Sequence, residues 1–218
     1  MIRIVIADDH TILREGLKQL LASAEGIEVV GEAVDGHEVL ERVRNLKFDL
    51  LLLDLSMPGK SGMELIKQVK SERPRLRILV LSMHAEQQYA VRAIRAGASG
   101  YLTKDSAMTQ LVAAIRKVAA GGAFISPEVA EQLALRAMPK AEAEGPPHAA
   151  LSDREYEVFQ LLVAGRTVTD IADRLNLSVK TVSTHKARLL EKMGLETPAD
   201  LVRYAIAHRL TDEPDPGA

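Results

Sequence analysis

Over the first 120 residues, short runs of aliphatic and β-branched residues alternate with segments whose apolar residues recur at helical spacing. The runs predict five buried strands, which are Arg3–Ala7, Ile27–Ala33, Phe48–Leu53, Arg77–Ser82 and Gly100–Thr103. The apolar stripes of the other segments predict five helices. This alternation predicts an α/β fold, a (βα)5 doubly wound parallel sheet of the flavodoxin-like kind, with right-handed crossovers and helices on both faces.

A change of composition after this region predicts a second, smaller domain beyond a first domain of residues 1–122. Residues 123–150 combine one short helix, Pro127–Arg136, with a Pro/Ala-rich connection that has too few large apolar groups to fold alone. Residues 151–210 carry helix signals and no strand signals, which predicts an all-α domain of four helices. Residues 211–218 form an acidic tail.

Composition excludes several classes of protein. Apolar residues make up 47% of the chain and charged residues 27%, as in ordinary globular proteins. The chain has no cysteine, which excludes disulfides, thiolate zinc sites and cysteine nucleophiles. No apolar run is long enough to span a membrane, and the acids Asp8 and Asp9 come too early for a signal peptide. We therefore expect a cytoplasmic protein without a membrane partner.

Functional side chains follow four of the five predicted strands. Asp8 and Asp9 come after the first strand, Asp54 after the third, Ser82 ends the fourth, and Lys104 follows the fifth. Because the carboxyl ends of parallel strands meet at one edge of a sheet, these groups are expected to converge. Three carboxylates repel one another unless a cation joins them, and an all-oxygen set suits Mg²⁺. A lysine at the same edge can hold a phosphoryl oxygen.

These strand ends resemble the receiver domain of bacterial two-component response regulators. The matching positions are Asp8, Asp9, the segment 54–59, Gly62, Ser82, Tyr101 and Lys104. The resemblance implies that Asp54 accepts a phosphoryl group from the phosphohistidine of a sensor kinase. It also implies a Mg²⁺ site formed by Asp8, Asp9, Asp54 and the backbone carbonyl of Ser56. Ser82 and Lys104 would bind the phosphoryl group, Tyr101 would report the state, and the chain would be a switch, not a turnover enzyme.

The second domain contains a helix-turn-helix pattern. A helix predicted over Val168–Leu175 is followed by a tight turn at residues 176–177, and Ser178 can cap the next helix, which runs to Met193. Residues 178–192 hold four basic side chains and one acidic one, in a chain whose net charge is −2. Short polar and basic side chains on one helix suit entry into the DNA major groove. From charge alone, a solvated helix face is an equal alternative.

The same domain resembles the LuxR-type DNA-binding domain through its segments 151–155 and 180–185. With the receiver-like domain ahead of it, the whole chain resembles NarL/FixJ-family response regulators. The resemblance implies DNA contacts from Lys180, Thr181, Ser183, Thr184, Lys186, Ala187, Arg188 and Lys192. Ser183, Thr184 and Ala187 would face bases, and the remainder would mostly bind phosphates.

The implied partners are a sensor histidine kinase, double-stranded promoter DNA and, after phosphorylation, a second copy of the chain. RNA polymerase is a further candidate. Phosphorylation would promote dimerisation and release the DNA-binding domain. The last helix offers candidate dimer contacts, although the same positions equally suit a core: Leu201, Val202, Tyr204 and Ala205.

Two other function classes remain open at this point. A receiver could regulate an enzyme, but the roughly 60 residues after the linker hold no nucleophile–base pair and no Gly-rich phosphate loop. The helical domain could instead bind another protein, and the basic segment 178–192 argues against that alternative. A mobility shift with genomic fragments would separate the DNA-binding and protein-binding alternatives.

Overall fold

The computed structural model describes residues 1–57, 62–82, 87–137 and 146–208, together with Leu210. Three parts of the predictions lie outside the described residues: Pro58 and Gly59 of the receiver-like segment, positions 138–145 of the linker, and the tail 211–218. The chain divides into two compact units, residues 1–138 and residues 139–218.

The first unit is built on one sheet of five parallel strands in the order β2-β1-β3-β4-β5. The strands are β1 Ile2–Ala7, β2 Ile27–Ala33, β3 Leu50–Asp54, β4 Arg77–Ser82 and β5 Gly100–Thr103. All five predicted strands are confirmed, although β3 starts at Leu50 and takes in Asp54 as its last residue. The strand order reverses between β1 and β3, and ligands bind doubly wound sheets beyond the carboxyl ends of the strands at such a point.

Helices cover both faces of this sheet. They are α1 Thr11–Ala22, α2 Gly36–Asn45, α3 Gly62–Glu72, α4 Gln87–Ala96, α5 Lys104–Ala119 and α6 Pro127–Ala137. Helices α1 and α5 share one core with alternate strand residues, among them Ile6, Leu52 and Leu81. Every residue of β3 is buried, because a parallel strand in the middle of such a sheet has helices against both of its faces.

The segment after α5 stays with the first unit. The amide of Tyr101 in β5 donates to the carbonyl of Phe124 at 2.8 Å, and the amide of Phe124 donates to the carbonyl of Ser99 at 3.3 Å. A β-carbon on Gly100 would lie 2.9 Å from that Phe124 oxygen, so this close approach requires glycine. Helix α6 packs against α4. The first unit therefore extends past the predicted boundary at residue 122.

The second unit is helical, as predicted. A 3-10 turn, Pro147–Ala150, precedes α7 Asp153–Val163, α8 Val168–Leu175, α9 Val179–Met193 and α10 Pro198–Ala207. Local capping fixes these bounds: Ser152 and Glu155 form a capping box on α7, Thr167 caps α8 and Ser178 caps α9. Asn176 adopts the left-handed conformation, with φ of 52°, in the turn between α8 and α9. That turn gives the predicted helix-turn-helix geometry.

The core of the second unit lies between α7 and the other three helices. Tyr156 and Phe159 of α7 are its largest fully buried side chains. Helix α7 packs against α8, α9 and α10, and these three helices contribute the buried residues Ile171, Val182 and Leu201. Within the described part of the chain, none of the helices combines the length and hydropathy that a membrane span requires.

Candidate phosphoryl-acceptor site and DNA-binding helix

Three carboxylates meet where β1 and β3 end. Asp8 and Asp54 are each 1% exposed, whereas the side chain of Asp9 is 33% exposed. One oxygen of each of the three carboxylates and one ring nitrogen of His10 lie within 4.8 Å of one another. This convergence was predicted from the strand ends, and it brings three negative charges to the switch point of the sheet.

Lys104 is the cation of this cluster. Its Nζ lies 2.8 Å from Asp54 Oδ2 and 2.8 Å from Asp8 Oδ2, and its side chain is 7% exposed. Lys104 is the first residue of α5, where the helix dipole disfavours a positive charge. The two buried carboxylates compensate, and Thr103 fixes the position of the lysine by accepting a hydrogen bond from the amide of Ser106 as the N-cap of α5.

Burial and ion pairing have opposite effects on these groups. Burial raises the pKa of Asp54 above its usual range, although the ammonium of Lys104 and the amide of Ser56 partly offset this effect. Burial alone would lower the pKa of Lys104, but hydrogen bonds to Asp54 and Asp8 outweigh it and the pKa is raised. The site thus keeps an ammonium against carboxylates whose charge is costly without a cation.

The other predicted receiver residues are Ser56, Ser82 and Tyr101. The amide of Ser56 donates to Asp54 Oδ1 at 2.9 Å, which places Ser56 beside the carboxylate that is predicted to accept the phosphoryl group. Ser82 is fully buried at the end of β4, in register with Thr103 of β5. Tyr101 is 8% exposed and lines a groove of about 400 Å³ together with Phe124.

Two residues of the site were missed from the sequence. His10 follows the acid pair directly, and its Nδ1 lies 3.1 Å from Asp8 Oδ1 and 2.9 Å from Asp9 Oδ1. Arg14 is 8% exposed, and its guanidinium donates to the backbone carbonyl of Asp8 at 2.8 Å and to Glu32 at 3.2 Å. An arginine next to Leu13 within the apolar stripe of α1 was the available signal, because a buried charge needs partners.

In the second unit, α9 presents most of the predicted DNA contacts on one face. Val182, Leu189 and Met193 are buried beneath it. The exposed residues are Lys180, Ser183, Thr184, Ala187 and Arg188, and the half-buried ones are Thr181 and Lys186. Among the described residues, no acidic side chain forms an ion pair with Lys180, Lys186 or Arg188, so no carboxylate neutralises these three charges.

Lys192, also predicted to contact DNA, is held by a carboxylate. Its Nζ lies 2.6 Å from Oε2 of Glu155, whose side chain is 5% exposed. Burial alone would raise the pKa of Glu155, but the ammonium of Lys192 and the amide and hydroxyl of Ser152 outweigh it, and the pKa is lowered. The pair joins the start of α7 to the end of α9. A phosphate contact from Lys192 stays a prediction.

This pair predicts an acid-sensitive contribution to the second unit's stability. We expect Lys192→Met to lower the free energy of unfolding at pH 7 by about 1–2 kcal/mol, after allowance for the exposure of Lys192, because the buried carboxylate of Glu155 loses its cation and keeps only its hydrogen bonds to Ser152. Because the pKa of Glu155 is lower in the folded than in the unfolded protein, its ionisation contributes stability at pH values above the unfolded pKa of about 4.3. This contribution is lost as the pH falls through the folded-state pKa. The difference between the two proteins should therefore disappear in acid.

Hydrogen exchange of the α7 and α9 amides in the full chain measures this contribution for the second unit alone. The matched control is Arg203→Met, which removes an exposed ion pair with Asp200 on α10 and should leave exchange unchanged. A Lys192→Met difference that persists unchanged into acid would contradict the role of the Glu155 carboxylate.

Two of the four residues of α10 that were predicted as candidate dimer contacts are part of the core instead. Leu201 is 1% exposed and Ala205 is fully buried, so these two positions belong to the core and are corrected as dimer contacts. The hydroxyl of Tyr204 lies 2.7 Å from Nδ1 of the buried His148, which ties the 3-10 turn to α10. Val202 is half-buried, while Ile206, which was not predicted, is 61% exposed.

The fold and the site together define the class: a five-stranded receiver-type domain with an acidic cluster and a lysine at its strand ends, followed by a helix-turn-helix unit, is a response regulator. Family models agree with both halves. Residues 4–116 match the response regulator receiver domain, and residues 149–205 match the luxR family of bacterial regulatory proteins.

Individual relatives match over nearly the full length. The response regulator GacA of Pseudomonas viridiflava is 36% identical over 97% of this chain and 99% of that protein. UvrY of Escherichia coli is 35% identical over 96% of each. A structure of RcsB from Salmonella typhimurium covers 94% of this chain and 97% of its own, with 32% identity and a TM-score of 0.72. RcsB bound to the promoter rprA in the presence of phosphomimetic BeF3⁻ has 31% identity, covers 95% of this chain and 100% of its own, and has a TM-score of 0.70.

This chain belongs to the NarL/FixJ family of response regulators. It is a transcriptional response regulator with an amino-terminal receiver domain and a LuxR-type DNA-binding domain.

Proposed function

We propose that phosphorylation of Asp54 by a sensor histidine kinase switches this cytoplasmic protein into a dimer that binds promoter DNA. The observation that carries the proposal is the bridge from Lys104 Nζ to two buried carboxylates, 2.8 Å from both Asp8 and Asp54. Once the carboxylate of Asp54 is phosphorylated, the ammonium of Lys104 can form hydrogen bonds to the phosphoryl oxygens in place of its contact with the carboxylate.

The transfer itself is a substitution at phosphorus. An oxygen of Asp54 forms a bond to phosphorus while the bond from phosphorus to the kinase histidine breaks, and the histidine nitrogen keeps the electron pair. Lys104 and the hydroxyl of Ser82 then contact the new phosphoryl oxygens, and hydrolysis of the acyl phosphate resets the switch. Positioning and charge compensation are the protein's main contribution to such a transfer.

The donor set fits Mg²⁺. Asp8, Asp9 and Asp54 offer only oxygen ligands and carry more negative charge than Lys104 neutralises, and the carbonyl of Ser56 is the fourth candidate ligand. When bound, the ion would neutralise charge on the phosphoryl oxygens. The three carboxylates would hold it, and Arg14 positions the β1–α1 connection through a hydrogen bond to the backbone carbonyl of Asp8.

We expect Asp9→Asn to raise the Mg²⁺ concentration for half-maximal phosphorylation by at least about tenfold, because one ligand charge is lost from a partly exposed position. Intact-mass measurement of the full chain with acetyl phosphate over a Mg²⁺ titration tests this. Asp105→Asn removes an exposed carboxylate one residue from Lys104 and serves as the control. Equal Mg²⁺ dependence in the three proteins would refute the metal site.

Phosphorylation is proposed to act through the ends of β4 and β5. Ser82 gains a phosphoryl partner, and Tyr101 in the neighbouring strand changes its packing in the groove that it shares with Phe124. The amide of Tyr101 bonds to the carbonyl of Phe124, so a shift of β5 reaches the segment that leads to α6. Only a few kcal/mol of differential interaction are needed to invert a two-state population.

The experiment that tests the whole proposal compares the full chain with and without acetyl phosphate in Mg²⁺. Light scattering should show a shift from monomer to dimer, and a mobility shift with promoter fragments should show tighter binding after phosphorylation. The same mass and the same DNA affinity in both states would overturn the switch. RNA polymerase, as a further proposed partner, would be tested by its recruitment to the same fragments.

A further inference from the structure

The exposed face of α9 consists of two neighbouring rows of side chains. Residues four apart lie above one another on a helix, so Val179, Ser183 and Ala187 form one row and Lys180, Thr184 and Arg188 form the next. The first row is short and largely apolar. The second row begins and ends with a long cation, which suits contacts to phosphates.

Val179 is the unusual member of the first row. It is 49% exposed, and it is one of five large apolar side chains exposed in the described part of the chain. Val179 is the first residue of α9 and directly follows the N-cap Ser178. The hydroxyl of Ser178 accepts a hydrogen bond from the amide of Thr181 at 3.1 Å. The cap fixes the start of the helix, and the first residues of a recognition helix contact base edges in the major groove.

The hydroxyl groups on this face donate to their own helix. Ser183 Oγ donates to the carbonyl of Val179 at 2.9 Å, and Thr184 Oγ1 donates to the carbonyl of Lys180 at 2.9 Å. The methyl group of Thr184 is the part of that side chain not engaged with the backbone. The row that contains Val179 therefore presents mainly aliphatic carbon and hydroxyl lone pairs to the DNA major groove.

Apolar groups recognise one feature of the major groove, the 5-methyl group of thymine. Guanine is read by Arg or Lys and adenine by Asn or Gln, and the row of Val179, Ser183 and Ala187 contains none of these residues. We propose that Val179 is a specificity-determining residue that recognises thymine through its 5-methyl group. This inference rests on the proposed binding of promoter DNA by α9.

The test replaces single thymines by deoxyuridine, which lacks only the 5-methyl group. A duplex selected from a random-sequence pool by the full-length protein, phosphorylated with acetyl phosphate in Mg²⁺, serves as the probe, and fluorescence anisotropy with the phosphorylated protein gives Kd for each substituted version. We expect loss of the contacted methyl to weaken binding about fourfold, the value for one buried methyl-sized group. Val179→Ala should bind the parent duplex more weakly and no longer distinguish thymine from deoxyuridine at that position.

Two further variants complete the test. Val179→Thr keeps one of the two methyl groups and should give an intermediate discrimination. Val34→Ala truncates a 38% exposed valine of the first unit and should retain the full fourfold effect. If Val179→Ala still binds the deoxyuridine duplex fourfold more weakly than the thymine duplex, the inference is overturned while DNA binding stands. The same holds if the unmodified protein shows no loss of affinity at any thymine position. Failure to bind any duplex would instead overturn the proposed function, and this inference with it.

Discussion

Asp54→Asn is expected to abolish phosphoryl transfer to this protein. The amide has the same shape as the carboxylate but is not a nucleophile toward phosphorus. The fold should tolerate the change, because burial already raises the pKa of Asp54 and thus disfavours its charge. Intact mass after incubation with acetyl phosphate and Mg²⁺ should show the gain of one phosphoryl group in the unmodified protein and none in the variant.

The control lies just before the same strand. Asp49 directly precedes β3 and is exposed, whereas Asp54 ends the strand and is buried. Asp49→Asn should therefore be phosphorylated normally, although its carboxylate accepts a hydrogen bond from the amide of Arg3 at 2.8 Å. If Asp54→Asn gained as much phosphoryl group as the unmodified protein, the acceptor would have to be a different residue.

Arg188→Ala is expected to weaken DNA binding about tenfold at moderate salt, whatever the sequence of the duplex. Arg188 is exposed on the row of α9 that carries the cations, and each phosphate contact releases a condensed counterion. The logarithm of the binding constant against the logarithm of salt concentration should lose about one unit of slope. Lys186→Ala should act in the same direction.

Because phosphate contacts do not depend on sequence, any duplex of fixed length serves as the probe for this slope. Arg75→Ala removes an exposed arginine of the first unit and provides the control, since that unit is not proposed to contact DNA. An unchanged slope in Arg188→Ala would reject the phosphate contact. A changed slope in Arg75→Ala would place part of the electrostatic footprint on the receiver.

Local signals in the sequence were sufficient for most of the secondary structure. Each predicted strand is present, and α8 has its predicted bounds. The helix starts were predictable because capping depends on residues close in the sequence. Ser152 forms a capping box with Glu155 at the start of α7, and the side chain of Thr167 accepts a hydrogen bond from the amide of Asp170 at the start of α8. The convergence of Asp8 with Asp54 was predictable as well, since parallel strands bring their carboxyl ends to one edge.

Contacts between residues distant in the chain were not predictable in this way. Nothing near Lys192 indicates that it bonds to Glu155, 37 residues away, and nothing near Leu201 distinguishes a core position from an exposed one. Both depend on how α7, α9 and α10 pack. The same is true of Phe124, whose pairing with β5 depends on the edge of the sheet and on the absence of a side chain at Gly100.

The sequence by itself determined the order of the elements, the two-domain organisation and the types of residue at the end of each strand, because periodicity, capping and turn preference act over a few residues. The tertiary structure alone decided which charges are paired and which surfaces are free. It brought Lys104 between Asp8 and Asp54, attached Lys192 to Glu155, and left Val179 exposed. These outcomes depend on packing between elements far apart in the chain, and a local pattern does not encode that packing.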